Sequence, residues 1–336
     1  MRALVNERVA PADVPPPVAD AAGFHRTLAG YAPTPVRDLP ELARELGVAA
    51  VVIKDESSRL GLPAFKILGA SWAVERALGG RADTNTLVAA SAGNHGRAVA
   101  HIAEIRGLRS RIFLPERALS ARRDAIAAEG ADVVVVDGTY EDAVAAAEAE
   151  AEKPGHLLVS DVGREGPPAW VIDGYATLFS EAHAQAEYDL LLVPVGVGSL
   201  AAAAARHGSA VGARVIGVEP VSAACLTASL ASGRPTTVAT PGTVMAGLEC
   251  AEVSEAAWPS LLAGVHGMLT VHDDEVRAAM TELAGYGLTI GESGAAPLVA
   301  LRQLALNPAC RALRDAVELG SSSRTLLIAT EGRTGG

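Results

Sequence analysis

The feature that most constrains this chain is an alternation. Short, nearly continuous apolar runs are separated by alanine-rich stretches with helical spacing. Runs at 51–54, 86–90, 111–114, 133–136, 157–160, 190–195, 215–219 and 326–329 read as strands. Continuous rather than alternating apolarity belongs to strands covered on both faces. Helical patterns at 69–78, 95–106, 121–129, 140–152 and 200–206 lie between them, and two more begin at Asp273 and Gly294. This order predicts an α/β fold with doubly wound parallel sheets.

Composition narrows the function classes. With 336 residues the chain exceeds one ordinary core, so two lobes are expected. Hydrophobic residues at 49% and charged residues at 20% supply a buried interior and exclude a disordered composition. A net charge of −11, with no basic cluster to offset it, excludes nucleic acid and anionic membrane surfaces as partners. Three cysteines, Cys225, Cys250 and Cys310, are too scattered for a zinc site, and no metal is expected. The most apolar stretch, 190–205, is broken by Pro194, Gly196 and Gly198 and is too short to span a bilayer. No basic segment followed by an apolar run reads as a leader in 1–20, so a cytoplasmic protein is expected.

Three segments carry chemistry. Gly196-Val197-Gly198-Ser199-Leu200-Ala201 follows a strand and opens a helix. Glycines there let backbone N–H groups approach a phosphate, and the helix dipole favours the anion. The same string fits the dinucleotide fingerprint, with Glu219 at the end of the next strand; that reading leads to an NAD-dependent oxidoreductase. A tight strand–helix turn without ligand is the plain alternative.

Lysine is scarce: Lys54, Lys66 and Lys153 are the whole set. Lys66, beside Phe65 at the start of a helix, is partly desolvated and placed where the dipole favours the neutral amine, the form that builds a Schiff base. Lys54 is flanked by Asp55 and Glu56, which favour its charged form, and Lys153 precedes a Pro-Gly turn. Lys66 is therefore the best amine nucleophile, an ordinary solvated lysine being the alternative. The third segment, Ser91-Ala92-Gly93-Asn94-His95-Gly96, also follows a strand and opens a helix. Its N–H groups could hold a carboxylate and Asn94 could donate to a cofactor oxygen; a capped helix start, with a structural His95, is the plainer reading.

Taken together, the Lys54–Lys66 segment, Ser91–Gly96 and the Gly196–Ser199 loop resemble the fold-type II pyridoxal-phosphate enzymes, the tryptophan synthase β family. The order and spacing agree over most of the chain. Within that family, Gly61–Lys66, Asp161–Gly166 with Trp170–Leu178, Met245–Cys250, Gly291–Ala295 and Thr330–Gly332 resemble the diaminopropionate ammonia-lyases. The resemblance implies a large cofactor-binding domain over 1–85 and 164–336, a small domain over 86–163, and a homodimer. It implies pyridoxal 5'-phosphate held by Lys66 as a Schiff base. Asn94 would bond the phenolic oxygen, Gly196, Val197, Gly198, Ser199 and Leu200 the phosphate, and Thr330 the pyridine nitrogen. Ser91, Ala92, Gly93, Asn94 and His95 would hold the carboxylate of a small amino acid, and Asp161 would act on its α-proton.

The implied activity is α,β-elimination on 2,3-diaminopropionate, giving pyruvate and ammonia. Threonine or serine dehydration is the alternative, because the Ser-Ala-Gly-Asn-His string is dehydratase-like. One departure bears on stereochemistry. The ammonia-lyases carry Asp where this chain has Ala92, and that Asp serves the D-isomer. Restriction to L-substrates, or a different substrate, is the expected consequence. The resemblance also allows a disulfide between Cys225 and Cys250, two buried thiols being the other possibility.

Overall fold

The computed structural model describes residues 2–79, 81, 83–160, 163 and 166–333. The strands in chain order are β1 (Ala3–Val5), β2 (Val36–Asp38), β3 (Ala50–Asp55), β4 (Thr86–Ala90), β5 (Arg109–Pro115), β6 (Asp132–Val136), β7 (His156–Leu158), β8 (Leu190–Pro194), β9 (Arg214–Pro220), β10 (Gly267–Val271) and β11 (Arg324–Ala329). Among the described residues they form two sheets. One has the order β1-β10-β9-β8-β11-β3-β2, the other β6-β5-β4-β7. All eight expected strands form, 157–160 being trimmed to β7.

The central pairings β10·β9, β9·β8, β8·β11 and β11·β3 are parallel, and the edge strands β1 and β2 are antiparallel. The second sheet is parallel throughout. β11, from the end of the chain, lies between β8 and β3, with Ile328 opposite Lys54. The larger sheet is thus assembled from both ends of the sequence, one arrangement with which the sequence pattern is consistent.

Helices cover both faces of the larger sheet. The helices Ile67–Leu78, Pro167–Gln185 and Ser199–Val211 bury Leu68, Tyr175, Leu178 and Ala203 in one core. On the other face Glu292–Leu306 and Asp273–Gly285 contribute Leu298, Leu301 and Val276 to a second core. Sequence pattern missed β1, β2 and β10, and it missed Pro167–Gln185 as a helix. That helix opens on two prolines and buries residues on nearly every side, so it has no polar stripe to betray a helical period.

The helices Ile67–Leu78 and Pro167–Gln185 meet at two glycines. A Cβ on Gly174 would lie 2.6 Å from the Leu68 carbonyl oxygen and 2.8 Å from Gly69 Cα; one on Gly69 would lie 2.6 Å from Tyr175 Cε1. Backbone nearly touches backbone at this crossing, which sets the start of the Lys66 helix against the longer one. Gly174→Ala should therefore cost about 1–3 kcal/mol by overpacking. Gly285→Ala, where nothing lies within 4 Å of the new methyl, should be neutral or stabilise by up to about 1 kcal/mol. Urea midpoints of the two variants check this; equal losses would contradict it.

Candidate active site

Parallel strands deliver their carboxyl ends to one side of a sheet, and ligands of open α/β folds bind there. β3 runs into the loop ending at Lys66, β8 into the Gly196 loop, and β11 into Thr330. Backbone pairing ties these segments together. Phe65 N–H donates to the Thr330 carbonyl at 3.3 Å, Gly332 N–H to Pro63 at 2.9 Å, and Gly291 N–H to Glu331 at 2.9 Å. Ala64 pairs with Glu331 and Ile290 with Gly332 as antiparallel bridges. Lys66 is thereby held half-buried at the head of its helix, two residues from that pairing.

Asn94, the first residue of the helix Asn94–Ile105, joins from the second sheet: its Nδ2 donates to Glu331 Oε2 at 2.6 Å. The Gly196 loop joins through Gly247. A Cβ on Gly196 would stand 2.7 Å from the Gly247 carbonyl oxygen, and one on Gly247 would stand 3.0 Å from Ser293 Oγ and 3.8 Å from Glu331 Oε2. The structure thus brings Lys66, Asn94, Thr330 and the Gly196 loop around one locus.

Polar chemistry at this locus is incomplete within the protein. Ser199 Oγ, Ser293 Oγ and Thr330 Oγ1 are buried and make no hydrogen bond among the described residues. Each orphaned hydroxyl costs about 1–3 kcal/mol unless a ligand supplies a partner. Ser199 is the first residue of the helix Ser199–Val211, whose opening N–H groups have no intrahelical acceptor. Gly198 precedes it with φ at +95°, and a Cβ there would collide with Leu261 Cδ1 at 2.6 Å. Only glycine fits, and the backbone stays open toward an anion.

In the Ser91–His95 segment, Ser91 Oγ accepts from Gly93 N–H at 3.2 Å and the buried His95 ring bonds the Val159 carbonyl through Nε2 at 2.9 Å. Gly96 is required because a Cβ would lie 2.5 Å from the Ser91 carbonyl oxygen. Asp161 lies outside the described residues. Gly163 accepts from Ser254 Oγ at 3.1 Å, and Ser254 N–H donates to Val197 at 2.8 Å, so Gly163 is tied to the Gly196 loop.

A cleft of about 950 Å³ adjoins this locus through Gly163 and Ser254 and is lined further out by Tyr140, Trp170 and the exposed Arg76, Arg81 and Glu148. None of Lys66, Asn94, Gly196 or Thr330 lines it. Orphaned hydroxyls and a glycine-opened helix start place the site better than volume does.

Lys54 departs from its expected surroundings. It is fully buried, and its partners are Glu181 Oε2 at 2.8 Å and the Thr34 carbonyl at 2.6 Å, neither of the adjacent acids. Burial lowers its pKa and Glu181 opposes that shift. Arg59 completes the group, reaching Glu56 at 2.6 Å and Glu181 at 2.7 Å. Glu181 sits on the missed helix, far along the sequence, so no local signal could have announced it. Lys153 is a surface residue paired with Glu150.

Glu219 removes the dinucleotide reading. It is fully buried, and its carboxylate accepts from Leu226 N–H, Thr227 N–H and Thr227 Oγ1 at 2.7, 2.9 and 2.7 Å. It caps the helix Cys225–Ser232 and has nothing to offer a ribose; burial pushes its pKa up to about 7. Cys225 and Cys250 are separate thiols, both beside Gly196: Cys225 Sγ lies 3.6 Å from its carbonyl oxygen. Burial raises the Cys225 pKa.

Residues 27–330 match the family described as pyridoxal-phosphate dependent enzyme. The chain belongs to this family. Diaminopropionate ammonia-lyase of Salmonella typhimurium is 34% identical over 94% of this chain and 89% of that protein. The crystal structure of the Escherichia coli diaminopropionate ammonia lyase, in complex with an aminoacrylate-PLP azomethine reaction intermediate, superposes with a TM-score of 0.89. It is 31% identical and covers 99% of this chain and 94% of its own. A biosynthetic L-threonine dehydratase of Corynebacterium glutamicum is 28% identical over 82% of this chain and 65% of that protein.

The residues present fit pyridoxal phosphate. A lysine stands at a helix start, a helix N-terminus with an orphaned serine suits a phosphate, and an orphaned threonine hydroxyl suits a ring nitrogen.

Two outcomes are expected for the surroundings of the enzyme's site. Glu181→Ala leaves Lys54 and Arg59 with Glu56 alone and should cost about 3–5 kcal/mol in urea unfolding. Thiol counting after alkylation and denaturation should find three free cysteines; one would show a bridge.

Proposed function

We propose that this pyridoxal-phosphate enzyme is an ammonia-lyase acting on 2,3-diaminopropionate, with the L-isomer preferred. It converts the substrate and one water to pyruvate and two ammonia. The similarity to diaminopropionate ammonia-lyase, extending over 94% of the chain, carries the choice of substrate. We assign 86–163 to a small domain bearing Asn94, and 1–85 with 164–336 to the large one bearing Lys66. A cytoplasmic homodimer completes the reading; a monomer in sedimentation would overturn the dimer.

When bound, pyridoxal phosphate forms a Schiff base with an amine and withdraws electrons from the carbon carrying that amine. The residues would divide the remaining work. Lys66 would hold the cofactor through its amine, the group a substrate amine would replace. The N–H groups of Gly196, Val197, Gly198, Ser199 and Leu200 hold the phosphate, with Ser199 Oγ gaining the partner it lacks. Thr330 Oγ1 would give the pyridine nitrogen a neutral partner, which would not favour a full positive charge there. Asn94 donates to the phenolic oxygen.

The helix start at Asn94, with Ser91, Ala92, Gly93 and His95, orients the substrate carboxylate. Asp161, or the released Lys66, takes the α-proton. Asp161 also suits a cationic β-ammonium, which a hydroxyl-bearing substrate would not offer. Ala92 can move no proton, so the face that serves the D-isomer lacks its base.

Substrate panels test this reading. L-2,3-Diaminopropionate should release two ammonia per pyruvate, and the D-isomer should react about 10²–10⁴-fold more slowly. Lys66→Ala should lose both turnover and the visible absorption of the bound cofactor. Ala92→Asp should raise D-isomer turnover more than L-isomer turnover. One ammonia per 2-oxo acid from threonine or serine, with none from diaminopropionate, would establish the dehydratase instead.

A further inference from the structure

Glu331 is the buried acid of the site to which the mechanism above gives no part. Its side chain is almost wholly enclosed, at 6% exposure. Oε2 accepts from Asn94 Nδ2 at 2.6 Å and Oε1 from Ser293 N–H at 3.2 Å. No lysine or arginine forms an ion pair with it among the described residues. Two glycines make room for it: a Cβ on Gly291 would stand 3.1 Å from Glu331 Cγ, and one on Gly247 3.8 Å from Oε2.

The side chain is not needed to hold its own backbone. The pairing with Ala64 and the bond from Gly291 N–H already fix residue 331. Enclosing a carboxyl group costs free energy that an apolar side chain would not, so its contacts must offset that cost. The shortest of them is to Asn94.

An asparagine amide has two N–H donors on one side and an acceptor on the other. With one N–H directed to Glu331, rotation of the amide by half a turn would set its carbonyl oxygen against a carboxylate oxygen at the same short distance. Glu331 therefore selects one orientation of Asn94 and leaves its second N–H available. We infer that Glu331 is a positioning residue, which fixes the Asn94 amide so that its remaining N–H meets the phenolic oxygen of pyridoxal phosphate. The inference rests on the assignment of Asn94 made under the proposed function. Burial also raises the Glu331 pKa, in keeping with a carboxyl group that has neutral partners alone.

The test is a double-substitution cycle read as cofactor affinity, by titrating pyridoxal phosphate into the stripped full-length protein and following its visible absorption. Glu331→Met keeps the side-chain length and removes the acceptor; affinity should fall about 10–100-fold. Glu331→Gln retains an oxygen that can accept from Asn94 and should stay within about fivefold of the unmodified protein. In an Asn94→Ala background, Glu331→Met should change affinity less than about twofold. Should the methionine variant not fold, Glu331→Ala carries the same comparison. Unchanged affinity in Glu331→Met, or an equal loss with and without Asn94, overturns the inference while leaving the Asn94 assignment intact. Unchanged affinity in Asn94→Ala overturns both.

Discussion

The parallel placement of β11 between β8 and β3 is the constraint on which the site depends. A parallel pair cannot be joined by a tight turn, so each strand leaves the sheet through a crossover and all their carboxyl ends open on one side. That single geometric rule collects Lys66, the Gly196 loop and Thr330 from positions far apart in the chain. The short backbone pairing of 63–65 and 290–291 with 330–332 then sets them in register. Side-chain chemistry is added to a frame that main-chain hydrogen bonds have already closed.

Charge is treated in two ways within a small volume. Lys54, Arg59, Glu56 and Glu181 form a buried group with two positive and two negative members, every one of them paired. Such a group contributes rigidity more than net stability, and through Arg59 it anchors the turn closed by the Arg59–Leu62 backbone pairing, which precedes Lys66. Glu331 has no such compensation and takes amide and main-chain donors instead. The balanced group belongs to the scaffold. The unbalanced acid belongs with the residues gathered around Lys66 and Thr330.

Much of this was legible beforehand because the informative signals are local. Eight strands announced themselves as continuous apolar runs, and the glycines of 196–198 and the lysine at 66 carry chemistry in their own neighbourhood. The helix Pro167–Gln185 escaped because burial on nearly all sides erases periodicity, and β1 and β2 because three residues are too few to show one. The partners of Lys54 and Asn94 escaped for a different reason. Glu181 and Glu331 meet them across the folded chain, and an ion pair or hydrogen bond between distant residues leaves no spacing to read. Ser293 was visible in its Gly-Glu-Ser-Gly string, but its unpartnered hydroxyl appears once the surrounding backbone is placed.

The shortage of lysine has a practical consequence for the native protein. Lys54 is sealed in the interior and Lys66 stands in the site, so Lys153, with more than half of its side chain exposed, is the lysine left on the surface. Amine-directed dyes and surface couplings would therefore modify this molecule at very few places. A chain whose surface cations are arginines offers reagents a single lysine handle, on the helix-to-strand turn of the smaller sheet, away from the residues gathered around Lys66.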